Sequence, residues 1–265
     1  MTAFDRATRR AYDTAATGWA GGPERVYRHL AEALLQACPS PLHGALLIDV
    51  GAGTGVVGDV VTDHGARCVE TDIAVEMLAH QRPRPRRTVA ADGRRLPFRS
   101  ATYDVATAAC SLSHLDDPAA MLRETRRVLR PGGLLLASAF PPTTDPHPVR
   151  ACVESVLAEH GYHRPSWYEH LRDTGERRIE TPDALRELAR EAAFGAIDVT
   201  QTMIDTGINA PDMLVDYRLG MAQHTQFLST LKETTRQRIR STAIARLGQS
   251  PPTLTMGLLI LLARA

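Results

Sequence analysis

Short apolar runs alternate with amphipathic stretches through the first half of the chain, a pattern typical of strands that alternate with helices. Residues 45–50 (ALLIDV) form a continuous apolar run before a glycine cluster, as a buried parallel strand does. Further strands are predicted over residues 67–71, 88–91, 103–109 and 133–140. The pattern therefore predicts a doubly wound α/β fold on a mostly parallel sheet.

The helices predicted between these strands cover residues 56–64, 75–81 and 118–129. The last of them has clear end signals. Asp117 is suited to cap its N-terminus, Pro118 suits the first helical position, and residues 130–133 (RPGG) end it. Helix capping is therefore the preferred interpretation of Asp117, ahead of a catalytic role.

The second half of the chain has a looser rhythm. The predicted helices cover residues 149–159, 181–193 and 211–247, and the predicted strands cover residues 196–204 and 254–265. Two late strands that bracket a long helical segment indicate that the β-α core is interrupted by an insertion. At 265 residues, the chain is expected to form one domain with additions.

A glycine-rich segment follows the first predicted strand and opens into a helix. It reads Asp49-Val-Gly51-Ala-Gly53-Thr-Gly55, where glycines let a backbone approach a ligand and the helix start offers free N–H groups. A nicotinamide-binding loop has the spacing G-x-G-x-x-G, whereas here the third glycine comes one residue early. The spacing favours a nucleoside without a pyrophosphate, and the alternative is a tight turn that serves packing only.

Two further carboxylates end neighbouring predicted strands. Asp72 comes 17 residues after Gly55, near the spacing at which an acidic residue accepts hydrogen bonds from ribose hydroxyls. Asp92-Gly93 ends the third strand and precedes an apolar Leu-Pro-Phe segment that is suited to hold a flat adenine. A strand-end aspartate can also simply cap the next helix.

These motifs, together with Met77, the Tyr103-Asp104-Val105 strand start and the segment LSHLDDPAAMLRETRRVLRPGG, resemble the class I S-adenosylmethionine methyltransferases. The pattern is most similar to the ubiquinone and menaquinone C-methyltransferases and to natural-product methyltransferases built like them. The resemblance covers about residues 45–140. It implies S-adenosylmethionine as the cofactor and a seven-stranded Rossmann-like sheet whose last strand, here residues 254–265, is antiparallel.

The resemblance also implies roles for single residues. Asp49 and the glycines Gly51, Gly53 and Gly55 would hold the methionine part of the cofactor. Asp72 would bind the ribose hydroxyls, with Ile73 and Met77 on one adenine face. Asp92, followed by Gly93, would bind the adenine amino group, and Ala109 and Cys110 would pass beside the sulfonium.

The same resemblance divides the chain into one methyltransferase domain with helical additions. The expected parts are an N-terminal helical lid (1–40), a cofactor-binding core (45–140) and two cap segments for the substrate (141–180 and 209–250).

His114 is the candidate catalytic residue. It follows the fourth strand at the carboxyl edge of the sheet, and an imidazole suits general-base chemistry near neutral pH. The alternative is that it shapes the loop or contacts the cofactor. Methyl transfer is an in-line displacement that depends mainly on positioning, so few obligatory residues are expected.

Aromatic residues supply the candidate substrate wall. His163, Trp167 and Tyr168 lie in a stretch rich in rings, and Tyr12 and Trp19 lie in the N-terminal helical segment. For both groups the alternative is simple packing of a helix on the core. No metal site is expected, because His160 and His163 have the spacing of a metal pair without carboxylate support.

Composition narrows the choice of partners and location. Thirty-one basic side chains balance 30 acidic ones, so no overall charge draws the chain to nucleic acid or a membrane surface. The arginines of residues 82–87 (RPRPRR) are interpreted as a solvated connection. Four scattered cysteines and a charged N-terminus without a signal sequence predict a cytoplasmic protein.

The predicted function is therefore methylation of a small organic molecule of secondary metabolism, and the sequence does not predict the oligomeric state. One alternative keeps the fold and the cofactor but catalyses a cyclisation or rearrangement without methyl transfer. Two others are less favoured: a nicotinamide oxidoreductase conflicts with the glycine spacing, and an RNA or protein methyltransferase would need a basic or extended docking surface.

Overall fold

A computed structural model of the chain describes residues 2–80, 87–143 and 147–265. Its centre is one seven-stranded sheet. The strands are β1 (Leu46–Val50), β2 (Arg67–Asp72), β3 (Thr88–Ala90), β4 (Tyr103–Ala109), β5 (Leu129–Ala139), β6 (Gly195–Asp205) and β7 (Thr255–Arg264). Their order across the sheet is β3-β2-β1-β4-β5-β7-β6, and β7 runs antiparallel to both of its neighbours.

The predicted fold class is confirmed, including the antiparallel last strand. β1 lies at the centre of the parallel part, between β2 and β4, and its residues from Leu47 to Val50 are buried. The chain leaves β1 towards β2 on one side and leaves β4 towards β5 on the other. The carboxyl ends of β1 and β4 therefore frame the crevice in which open α/β sheets bind ligands.

Helices cover both faces of the sheet and extend beyond one end of it. They are α1 (Ala3–Gly21), α2 (Pro23–Gln36), α3 (Val56–Asp63), α4 (Val75–Ala79), α5 (Pro118–Val128), α6 (Pro148–Glu159), α7 (Ser166–His170), α8 (Pro182–Glu191), α9 (Pro211–Leu219), α10 (Ala222–Ser229) and α11 (Glu233–Leu247). A short 3₁₀ turn (Leu112–His114) follows β4, and a π-helical turn (Leu171–Glu176) follows α7.

The three largest apolar clusters of the described residues hold most of these elements together. One packs α5 and α8 on one face of the sheet, where Leu122 and Leu185 are fully buried, and a second packs α2 and α3 on the other face. The third joins α6, α9 and α11 through Val153, Leu214 and Ile239. This third cluster gives the helical insertion a core of its own beside the sheet.

The ends of several elements follow from local chemistry. The Asp117 carboxylate accepts a hydrogen bond from the amide of Ala120 at 2.9 Å, so the predicted helix cap is present. At the start of α1, Thr2 and Asp5 each accept a hydrogen bond from the other's backbone amide, which is a capping box.

Two predictions about element boundaries were wrong. Residues 130–133 do not form a stop after a helix: β5 already begins at Leu129, because Leu129 pairs with Tyr103 and Gly132 exchanges hydrogen bonds with the end of the chain. The predicted helix over residues 211–247 is three helices. A Cβ on Gly220 would lie 2.3 Å from the carbonyl oxygen of Gly18, so the chain turns at a close approach to α1.

The connection predicted at residues 82–87 lies, apart from Arg87, outside the described residues. No helix in the described part of the chain is both long and apolar enough to cross a membrane.

Candidate active site

The loop between β1 and α3 makes the sharp turn that its glycines predict. Gly51, Gly53 and Gly55 have φ angles of +81°, +56° and +90°, a region that side chains bearing a Cβ rarely adopt. A Cβ on Gly51 would also lie 2.5 Å from the Cβ of Ser111, in the loop after β4. The turn therefore needs glycine for its conformation and, at Gly51, for packing as well.

Hydrogen bonds fix this loop to the neighbouring strands. The amides of Gly51 and Ala52 both donate to the carbonyl of Thr71 in β2, at 2.8 and 2.9 Å. At the end of β1, the buried Asp49 carboxylate accepts a 2.6 Å hydrogen bond from the Thr107 hydroxyl of β4. The loop is thus held in place before any ligand binds.

Asp72 lies at the end of β2 with both carboxylate oxygens in backbone hydrogen bonds. One oxygen accepts from the amide of Gly53 and the other from the amide of Ala74, each at 2.8 Å. Burial raises the pKa of Asp72 above its ordinary value, while these backbone bonds oppose the rise. Each oxygen keeps a second lone pair, so the carboxylate can still accept hydrogen bonds from a ligand.

Asp92 is part of an ion-pair chain that the sequence did not reveal. Arg94 donates to both oxygens of Asp92, at 3.0 and 2.7 Å, and reaches the buried Asp5 of α1 at 2.8 Å. Burial opposes ionisation of Asp5 and Asp92, but the hydrogen bonds and charge of Arg94 outweigh it, so both carboxyl pKa values are lowered. Arg94 thereby joins the N-terminal helix to the end of β3.

His114 lies against Tyr12 of α1. The Tyr12 hydroxyl is 2.7 Å from Nε2 of His114, and the two rings meet edge to face at 5.2 Å. Burial lowers the pKa of His114 to about 4 and raises the pKa of Tyr12 well above its usual range. Near neutral pH the imidazole is therefore neutral and the phenol is protonated.

Cys110 is the first residue after β4 and has a φ of +52°, unusual for a residue other than glycine. Its amide donates to the Ser138 hydroxyl of β5 at 3.1 Å. Burial raises the pKa of its thiol to about 11, so the sulfur is protonated near neutral pH. The position is thus defined by its backbone, and the thiol is a poor nucleophile.

These elements surround a cavity of about 1140 Å³ at the carboxyl edge of the sheet. Most of the predicted cofactor residues line it: Asp49, Gly51, Gly53, Asp72, Ile73, Met77, Asp92, Gly93, Ala109 and Cys110. Gly55 does not, because it sits at the N-terminus of α3 and supplies the left-handed turn instead. The volume exceeds the roughly 300–1000 Å³ typical of a site for one ligand.

Aromatic rings form another part of the cavity wall. Tyr12, Trp19, Trp167 and Tyr168 all line it, as predicted positions for a substrate wall. The ring of Trp19 lies 5.7 Å from that of Tyr12 and 4.8 Å from that of Tyr27, between centroids. Tyr27 also lines the cavity. It was not predicted, because nothing in the sequence distinguishes it from the other core positions of an amphipathic helix.

His163 was expected at the substrate wall, and the structure does not bring it there. Its side chain is exposed on the segment between α6 and α7, and it is not among the residues that line the cavity. Within the residues that the structure describes, no three histidine, cysteine or acidic side chains cluster in a way that could hold a metal ion.

Comparison with known proteins agrees with this geometry. Residues 48–137 match the family model of a methyltransferase domain. A demethylmenaquinone methyltransferase of Mycolicibacterium vanbaalenii is 37% identical over 142 residues, which are 54% of this chain and 60% of that protein. The chain thus matches only about 60% of this relative's length. The resemblance to class I S-adenosylmethionine methyltransferases is confirmed.

Two solved structures share the fold at low sequence identity. A phosphoethanolamine N-methyltransferase of Haemonchus contortus, solved with S-adenosylhomocysteine, has a TM-score of 0.52 and 16% identity and covers 89% of this chain and 52% of that one. The cyclase SpnF has a TM-score of 0.51 and 19% identity and covers 89% and 80%. At these identities the likeness concerns the fold alone, so it gives no preference to cyclisation.

Proposed function

We propose that this chain is an S-adenosylmethionine-dependent methyltransferase that acts on a small molecule. The observation that carries the proposal is one cavity that joins the glycine loop and Asp72 to a wall of aromatic rings and His114. A site for a nucleoside and a site for an organic acceptor thus share one cavity, as transfer between two bound molecules requires.

The residues present fit this cofactor. Asp72 keeps lone pairs for two ribose hydroxyls, while its backbone bonds hold the carboxylate in one orientation. Met77 and Ile73 offer apolar surface to an adenine ring, and Asp92 keeps acceptor capacity beside Arg94. Asp49 and the glycine loop would hold the methionine part. When bound, S-adenosylmethionine supplies a methyl group on a positively charged sulfur.

The contribution of the protein to the reaction is mainly positional. The walls of the cavity hold the acceptor in line with the methyl group, and the aromatic rings exclude water from the space between. In the tautomer whose Nε2–H donates to the Tyr12 hydroxyl, the neutral His114 has its lone pair on Nδ1, which would take the proton from an O–H or N–H acceptor as the new bond to carbon forms. The bond that would break is the one between that methyl group and the cofactor sulfur, which would keep the bonding pair.

The form of the site favours a small acceptor. Helices α1, α6, α7 and α9 each contribute residues to the cavity wall, so the acceptor binds within the protein and not along its surface.

We assign the substrate to secondary metabolism and treat residues 1–265 as one methyltransferase domain. All four cysteines are free thiols, in agreement with the proposed cytoplasmic location.

Calorimetric titration tests the proposal most directly. S-adenosylmethionine and S-adenosylhomocysteine should each bind with one-to-one stoichiometry, and NADH should not. Failure of both sulfur nucleosides to bind, or binding of NADH alone, would overturn the cofactor assignment. Transfer of a labelled methyl group from S-adenosylmethionine to a member of a small-molecule panel would then identify the acceptor, and conversion without label transfer would indicate the non-methylating alternative.

A further inference from the structure

Three arginines share one carboxylate where the helical insertion meets the cavity. Glu154 of α6 lies 2.7 Å from Arg164, 3.4 Å from Arg150 and 3.7 Å from Arg218, measured between nitrogen and oxygen atoms. Three guanidinium groups facing one carboxylate leave two positive charges without a partner in this group. Burial alone would raise the pKa of Glu154, but the hydrogen bond from Arg164 and the charges of the three arginines lower it. The carboxylate is therefore ionised and balances one of the three positive charges.

Arg218 is the member of this group whose hydrogen-bond donors the protein satisfies least. The residue is only 7% exposed, and its Nε and Nη2 atoms are buried without a hydrogen-bond partner. Its distance to Glu154 exceeds a hydrogen bond, and its Cζ atom lies 5.7 Å from the ring centre of Tyr217. Burying a guanidinium without full pairing is unfavourable, so an incoming hydrogen-bond acceptor is strongly favoured.

A second unpartnered donor lies at the same part of the wall. Gln223 is 3% exposed, its Nε2 atom has no hydrogen-bond partner, and it lines the cavity together with Arg218 and Arg150. His224 fixes the backbone between them, because its Nδ1 donates to the carbonyl of Arg218 at 2.6 Å. The unsatisfied groups are thus all donors, and they are held by a rigid turn.

The other charged side chains around this part of the cavity are largely paired with each other. Arg172 lies 3.9 Å from Glu176, and Arg177 lies 4.0 Å from Asp173. The negative charges of Glu180 and Glu176 repel each other. Glu176 also interacts electrostatically with Arg150, so the charge of Arg150 is partly compensated and the surplus of positive charge centres on Arg218.

We propose that the acceptor molecule carries an anionic group, a carboxylate or a phosphate, which binds between Arg218, Arg150 and the amide of Gln223. The aromatic rings of the wall hold the apolar body of the same molecule. This inference rests on the proposed function, since it names the substrate class of that same cavity. An anion there would accept the hydrogen bonds that the buried guanidinium and amide lack.

The test compares ligands of one shape that differ only in charge. Calorimetric titrations use 2-naphthoate, 2-naphthyl phosphate and the neutral 2-naphthamide, each with the free protein and with the protein saturated by S-adenosylhomocysteine. We expect one or both anions to bind roughly 10- to 100-fold more tightly than the amide, the range for a hydrogen bond to a charged group. The better anion identifies the carboxylate or the phosphate as the natural group.

Two variants place the effect. Arg218→Gln should abolish the preference for the anion while the affinity for S-adenosylhomocysteine stays unchanged, and Arg238→Gln, an exposed arginine of α11, should change neither. If Arg218→Gln fails to fold, Arg150→Gln carries the same expectation of a reduced preference, because Arg150 is partly exposed.

Equal affinity for the anions and the amide, a preference that survives Arg218→Gln, or no binding of any of the three would overturn the inference. The titrations of the free protein report on the anion site alone. Failure of the unaltered protein to bind S-adenosylhomocysteine would therefore count against the proposed function and not against the anion site.

Discussion

The hydroxyl of Tyr12 lies 2.7 Å from Nε2 of His114, although 102 residues separate them in the chain. Helix α1 therefore completes the environment of the candidate base. Burial keeps the phenol of Tyr12 protonated and the imidazole of His114 neutral over a wide pH range, because it lowers the pKa of His114 and raises that of Tyr12.

The imidazole of His114 should resist protonation in mild acid. Because burial lowers its pKa to about 4, its imidazole should remain neutral from pH 8 down to about pH 5. Histidine NMR signals recorded across this range, with the His114 signal assigned by its loss in His114→Asn, measure this directly. A midpoint near 6.5, the ordinary value, would show that the ring is not held in its buried position.

His224 should make the protein less stable in mild acid. Burial lowers its pKa to about 3, so between pH 7 and pH 5 the unfolded chain gains a proton there that the folded protein does not. The free energy of unfolding should fall by about 2 kcal/mol over this interval on account of His224 alone. Urea unfolding at both pH values measures it.

The variant His224→Asn tests the assignment, because an asparagine amide can still donate to the Arg218 carbonyl. It should remove about 2 kcal/mol of that pH dependence, whereas His163→Asn, at an exposed position, should leave it intact. Identical pH dependence in His224→Asn and the unaltered protein would contradict the prediction.

Replacing Asp72 should weaken cofactor binding without unfolding the protein. The Asp72→Asn variant keeps the shape and one acceptor but loses the charge, so the affinity for S-adenosylhomocysteine should fall roughly 10- to 100-fold. Calorimetry measures the affinity, and Asp198→Asn on the exposed edge strand β6 is the matched control. Unchanged affinity in Asp72→Asn would remove the basis for a ribose contact.

Arg94 should couple the N-terminal helix to the cofactor site. In Arg94→Gln the ion pairs to Asp5 and Asp92 are lost, so amide hydrogens of α1 should exchange faster and S-adenosylhomocysteine should bind more weakly. Arg95→Gln removes the same charge from the adjacent, exposed position and should have neither effect. Hydrogen exchange followed by mass spectrometry measures the exchange of α1, and unaltered exchange there in Arg94→Gln would show that Arg94 does not secure this helix.

The features that were predicted correctly from the sequence are local ones. The apolar run before Gly51, the spacing of the glycines and the strand-end position of Asp72 all depend on residues close together in the chain. The same holds for the cap of Asp117, which is fixed within one helical turn. Such features follow from backbone geometry, so the positions of the glycine loop and of Asp72 at the edge of the sheet were predictable.

The substrate side depends on contacts between distant segments. Nothing local distinguishes Arg94 from Arg95, and only the packing of α1 brings Asp5 to the first and not to the second. Likewise, Arg218 differs from the other arginines only through its burial beside Glu154 of α6. His163 does not reach the cavity, because its side chain is exposed. These outcomes are decided by tertiary packing, which a single sequence does not encode in a readable local pattern.

The aromatic wall has one practical consequence. The chain contains two tryptophans, and both of them, Trp19 and Trp167, border the cavity. The tryptophan emission of the unlabelled protein therefore originates entirely beside the cavity. Any molecule that enters between α1 and α7 should change its intensity or wavelength, so the protein is its own optical reporter for an acceptor screen.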